Sequence, residues 1–121
     1  AGFVGAKLVE AAGFLVSVID SEDWCHVHFL ANQPEKVPVV VVANRDLRNR
    51  TRIGETLHQV CGIGRPALLV ADAPAAYFGE TEPQAQCLIP SPPQGWEFLS
   101  VLLDCLPGSL LAAPKAWMDG A

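Results

Sequence analysis

The sequence predicts an α/β domain with a doubly wound parallel sheet flanked by helices on both faces. Three observations predict it. Strand-like and helix-like apolar patterns alternate along the 121 residues. The clearest strand, Val39 to Ala43, opens with four consecutive valines, which suits a strand buried on both faces as a parallel sheet requires. The connections between strands are short, and short parallel connections demand right-handed crossovers.

Residues 3–12 carry Val4, Leu8 and Ala11 at helical spacing, and Gly13 closes this first helix as a C-cap. Phe14 to Ile19 reads as a short β-branched strand. Asp20-Ser21 follows as turn and cap, with Ser21 as the N-cap of a helix that places Trp24, Val27, His28 and Ala31 on one face and fades before Pro34. After the valine strand a polar loop runs from Asn44 to Arg52. The next helix turns Ile53, Leu57, Val60 and Cys61 inward and ends at Gly62-x-Gly64. Ala67 to Ala71 is a second buried strand, residues 72–86 hold at most a short helix, and Cys87 to Ile89 is a last short strand. Trp96, Leu99, Leu102, Leu103 and Leu106 make the apolar stripe of the final helix, which Pro107-Gly108 is expected to stop. The domain is therefore expected over 1–107, with 108–121 as a linker or docking tail.

Composition narrows the function. Half the residues are apolar, enough for an ordinary core without disulfides or metal. Lys plus Arg number 8 against 13 Asp plus Glu, a net charge of −5, which argues against direct nucleic-acid binding. The longest apolar run is too short to span a bilayer, and no leader pattern opens the chain. Cys25, Cys61, Cys87 and Cys105 include no Cys-x-x-Cys pair and are expected as reduced thiols, in keeping with a cytoplasmic location.

The order and lengths of these elements resemble, over residues 3–106, the receiver (CheY-like) domains of bacterial two-component signalling. Residues 7–20 (KLVEAAGFLVSVID) are similar to the family's first helix and second strand, and residues 38–44 (PVVVVAN) to its third strand. Residues 54–60 (GETLHQV) resemble the start of its third helix. Residues 88–92 (LIPSP), with the stripe beginning at Trp96, resemble its Lys-Pro turn and last helix. The resemblance implies a flavodoxin-like fold and a phosphorylation pocket, and the pocket residues depart from the pattern. Phosphoryl transfer to a carboxylate needs an attacking aspartate, acidic ligands for Mg²⁺, a Thr or Ser and a Lys. Asn44 stands where the aspartate belongs, Ala71 near the Thr/Ser position, and Ser91, before Pro92, near the Lys position. Asp46 is the one nearby carboxylate, and the loop can be aligned on either residue. The family's central first strand has no counterpart here, and Ser109–Ala113 is apolar enough to fill its slot. Residues 21–24 (SEDW) and Pro92-Pro93 further resemble the N-terminal domains of NtrC-type flagellar and biofilm activators.

Other constellations compete. Ala1-Gly2-Phe3-Val4-Gly5, with Asp20 at the end of the next segment, resembles the nucleotide-binding turn of short-chain dehydrogenases and epimerases, but no Tyr-x-x-x-Lys pair accompanies it, since Tyr77 is the only tyrosine. Cys25, His26 and His28, with His58 and Cys61 one helical turn apart, raise a metal site, which the core character of that helix face argues against. Arg45, Arg48, Arg50 and Arg52 crowd one loop at the carboxyl edge of the sheet, a candidate surface for an anion or a partner. On the last helix Phe98 and Val101 lie off the apolar stripe and are candidates for a dimer surface. The expected function is a non-enzymatic regulatory domain, without cofactor or metal, acting through a homodimer, a protein partner or an adjoining output domain. A nucleotide-binding fragment and a small anion sensor using the arginine segment are the alternatives.

Overall fold

The computed structural model describes residues 2–30 and 32–118. They fall into two compact units, Ile19–Pro90 and Ala1–Val18 with Ser91–Ala121.

The first unit is a mixed α/β layer. Asp20 caps helix α2 (Ser21–His26), its side chain accepting from the Asp23 N–H at 2.9 Å, so the cap falls one residue before Ser21. The helix is shorter than its apolar spacing suggests: Val27 is exposed, and a 3₁₀ turn at His28–Leu30 takes over. Strand β1 (Val39–Ala43), helix α3 (Leu47–Gly62), strand β2 (Ala67–Ala71), helix α4 (Ala75–Phe78) and strand β3 (Ala85–Leu88) follow. The three strands are parallel in the order β1-β2-β3, with Val41 beside Leu69 and Leu69 beside Gln86. The last strand starts two residues earlier than its apolar content indicates and ends at Leu88.

Successive side chains of a strand point to opposite faces. Val39, Val41 and Ala43, with Ala67, Leu69 and Ala71, share one face. Ile53 and Leu57 of α3 and Ala75 and Phe78 of α4 pack on it, as do Trp24 and Cys25 of α2 with Val60. Leu57, Val60, Leu69 and Val70 are the largest fully buried side chains. Val40, Val42, Leu68, Val70, Ala85 and Cys87 share the other face. One expectation is corrected. Among the described residues β1 pairs with β2 alone, so the four valines lie at an edge and β2 is the interior strand. Helices α3 and α4 pack on the face that carries Val41 and Leu69.

The second unit is helical. Helix α1 (Gly2–Ala12) ends at Gly13, whose φ of +64° is the left-handed conformation that glycine adopts freely. Phe14–Ile19 forms no strand: the described residues offer it no partner ladder, and β propensity alone does not order an isolated strand. A 3₁₀ turn at Glu97–Leu99 leads into helix α5 (Ser100–Met118). This helix runs through Pro107-Gly108, and Ser109–Ala113 is helical rather than a strand. The reason is packing. Pro107 and Gly108 are buried, and a Cβ at Gly108 would stand 2.7 Å from the Cα of Val4, so the small residue admits α1 against α5. Leu99 and Leu103 are half-buried, whereas Trp96 and Leu106, expected on the covered stripe, are exposed. Among the described residues no helix is long and apolar enough to cross a membrane.

Candidate functional site at the carboxyl end of the sheet

Parallel α/β sheets place their ligand-binding groups beyond the carboxyl ends of the strands. Here those ends are Asn44 after β1 and Asp72 after β2, brought alongside by the pairing of Ala43 with Ala71. The Asn44 Oδ1 accepts from the Asp46 N–H at 3.2 Å, a local turn that sets up the helix start. Asp46 is the N-cap of α3: its Oδ1 accepts from the Arg48 N–H at 2.9 Å, and its carboxylate faces the Arg48 guanidinium, with Nη2 to Oδ2 at 2.5 Å. These Arg48 contacts hold the Asp46 carboxyl down at about 2. The reciprocal hydrogen bond raises the Arg48 guanidinium further.

The expected loop from Asn44 to Arg52 is thus largely helix. Residues 47–52 are the first turns of α3, because Asp46 supplies the cap and Ile53, Thr56, Leu57 and Val60 supply one continuous buried face. Helical geometry separates the arginines, and each has an intramolecular partner. Arg45 donates its backbone N–H to Asp72 Oδ1 at 2.7 Å and its Nη2 to the Asp72 carbonyl, and its Nε lies 3.6 Å from Oδ2. Arg50 donates Nε to the Tyr77 carbonyl at 2.6 Å, with its guanidinium 4.9 Å from the Tyr77 ring centre. Arg52 bridges Glu22 at 2.7 Å and Glu55 at 2.8 Å. Tyr77 closes the cluster by donating its hydroxyl to the Arg45 carbonyl at 3.0 Å.

Sequence reasoning missed two members of this cluster. Asp72 has a side chain only 9% exposed and takes the central position. Its one advance mark was its place directly after a strand in register with the Asn44 strand. Tyr77 was weighed only as half of an absent catalytic pair. Of the expected pocket residues, Ala71 is fully buried at the end of β2, and Ser91 and Pro92 belong to the other unit. The donor set does not fit Mg²⁺, which takes carboxylate oxygens and water at close range. One strand end offers a neutral amide already accepting a hydrogen bond, and both nearby carboxylates face guanidinium groups.

The remaining motifs resolve as local structure. Gly5 lies inside α1, where a Cβ would collide with the Val18 side chain, and Asp20 is spent as a helix cap. Cys25 contacts Thr56 (3.8 Å), His58 contacts Thr81 (3.4 Å), and His26 contacts Glu22 (3.0 Å). Among the described residues no three His, Cys, Asp or Glu side chains gather as a metal site. All four cysteines are free, with Cys25 buried, and burial pushes the Cys61 thiol up. Phe98, in the 3₁₀ turn that precedes α5, and Val101, in the first turn of α5, are 68% and 66% exposed. What the carboxyl edge defines is a parallel α/β layer whose polar cluster is internally neutralised. No protein-family model, curated protein or solved structure matches the chain.

Proposed function

We propose that this chain is a cytoplasmic, receiver-like regulatory domain without phosphoryl chemistry, acting through a second copy of itself, a protein partner or an adjoining output domain. The observation that carries the reading is the engagement of the carboxyl edge. Asn44 stands at the strand end, Asp46 is consumed as cap and as partner of Arg48, and Asp72 is held by Arg45. A carboxylate that already accepts charge-assisted hydrogen bonds is a weak nucleophile.

In this reading the three strands belong to a larger, doubly wound sheet. Two observations support that. The outer side of β1 has no strand beside it among the described residues, and the second face of the sheet is apolar, with Val40, Val42, Leu68 and Val70. Contact as the mode of action is supported by the exposed apolar residues Phe98, just before α5, and Val101 and Leu102 in its first turn.

Incubation with acetyl phosphate or beryllofluoride and Mg²⁺ should leave mass and spectra unchanged. A stoichiometric mass shift mapping to Asp46 or Asp72 overturns the reading. Light scattering tests the assembly: the wild type should be dimeric at micromolar concentration and Phe98→Glu monomeric, whereas a monomer in both removes self-association from the proposal.

A further inference from the structure

Away from the carboxyl edge, the sheet unit buries an arginine that has no carboxylate partner among the described residues. Arg65 sits between Gly64, at φ +82°, and the start of β2, and the residue is 4% exposed. Its Nη2 donates to the His28 carbonyl at 2.5 Å, and its guanidinium stacks 5.6 Å from the centre of the buried Trp24 ring. The Nε is buried without any hydrogen-bond partner. Among the described residues no carboxylate lies within ion-pair distance of Arg65, although the chain carries 13 Asp plus Glu. A buried cation without a counter-charge is costly.

The same side chain lines an open cleft of about 340 Å³ whose other walls are Val27, His28, Leu30 and Val37. Leu30 and Val27 are 72% and 63% exposed, so the apolar wall is open to solvent beside the buried Arg65. Apolar walls with one placed polar group are the recurring pattern of small-molecule sites, and this volume stands at the small end of them. Arg is suited to a carboxylate through paired, planar donors.

We infer that this cleft binds a short-chain aliphatic carboxylate, its carboxylate on Arg65 and its alkyl tail along Val27, Leu30 and Val37. The inference is independent of the receiver-like reading, since the cleft shares no residue with the cluster around Asn44 and Asp72. Selectivity follows from the chemistry. An uncharged amide of the same length leaves the guanidinium unmet, and acetate leaves the apolar wall uncovered.

Calorimetric titration of the full chain with hexanoate, hexanamide and acetate tests this. Hexanoate should bind at one site, with hexanamide and acetate weaker by at least about tenfold, as loss of a charge-assisted hydrogen bond predicts. Arg65→Met should lose hexanoate binding by a similar factor. It should keep or raise the wild-type melting temperature, because an apolar replacement of matching shape removes an unmet charge. Leu30→Glu, a change at an exposed position, should also abolish binding by placing a carboxylate inside the cleft, which keeps the test alive if Arg65→Met fails to fold. No heat with hexanoate, equal binding of hexanoate and hexanamide, or wild-type affinity in either folded variant overturns the proposal.

Discussion

Ile19–Pro90 and the pair of segments Ala1–Val18 and Ser91–Ala121 are both rich in apolar residues, and they bury them very differently. In the sheet unit Leu57, Val60, Leu69 and Val70 are essentially inaccessible. In the helical unit the buried set among the described residues is small, Val4 and Ala112 with Gly5, Pro107 and Gly108, while Leu15, Phe98, Leu102, Leu106 and Leu110 remain open to solvent. The lesson concerns geometry rather than composition. A three-stranded sheet with a long helix across it encloses side chains from two layers, whereas one pair of helices shares a single seam and leaves the rest of each cylinder bare.

The largest test of this contrast pairs two leucines. Leu69→Ala, at the centre of the sheet, is expected to cost about 2–5 kcal/mol in denaturant unfolding. Leu102→Ala, at 64% exposure on α5, is expected to stay within about 0.5 kcal/mol. Equal losses at low protein concentration would break the comparison. The next test pairs two glycines, each at a close approach inside its own unit. A Cβ at Gly54 would run into the Phe78 carbonyl oxygen, which belongs to a turn tied to the sheet through the Ala75 N–H and Gln86 Oε1, 3.2 Å apart. Gly54→Ala should therefore lose about 1–3 kcal/mol. Gly108→Ala meets Val4 of a single neighbouring helix, which can yield, so its loss should be smaller.

The smallest expected effect is electrostatic. Asp46 titrates at about 2 in the folded chain against an ordinary value of 3.8, because Arg48 bonds its charged form. The folded state therefore holds this proton less readily than the unfolded state. The stabilisation is fully present above about 3.8 and is lost as pH falls through about 2. In the helical unit Glu97 is also lowered, by the Gly95 N–H. Carboxyl-carbon NMR titration should show Arg48→Ala raising the Asp46 midpoint and leaving that of Glu97 unchanged.

Much of the sheet unit was legible in the sequence. The strands at Val39–Ala43 and Ala67–Ala71 fall where expected, and the inward face of α3 carries Ile53, Leu57 and Val60. Local apolar pattern decides these elements, and burial agrees with it. The start of α3 was obscured because alternating arginines look like solvated loop, while the Asp46 cap that licenses the helix is a single residue. The run of α5 through Pro107-Gly108 was illegible because a close helix crossing outweighs local propensity. Phe14–Ile19 shows the converse, β propensity without a strand to pair with. Of the candidate site, Asn44, Asp46 and the arginines were visible, but their mutual neutralisation was not. It depends on Asp72 and Tyr77, 27 and 32 residues away in sequence from Arg45. Nothing local marks Arg65 as buried.

The edge position of β1 also governs how the chain behaves in bulk. Among the described residues no strand pairs with the outer side of Val39–Ala43, whose four valines favour extended backbone; the strand carries no lysine, and Lys36 and Pro38 stand just ahead of it as gatekeepers. Such a rim is a growth front. In concentrated solution, strand-by-strand addition at this rim is expected to set a ceiling on shelf life that core stability does not lift. A lysine in place of Val40 should raise that ceiling while leaving the melting temperature nearly where it was.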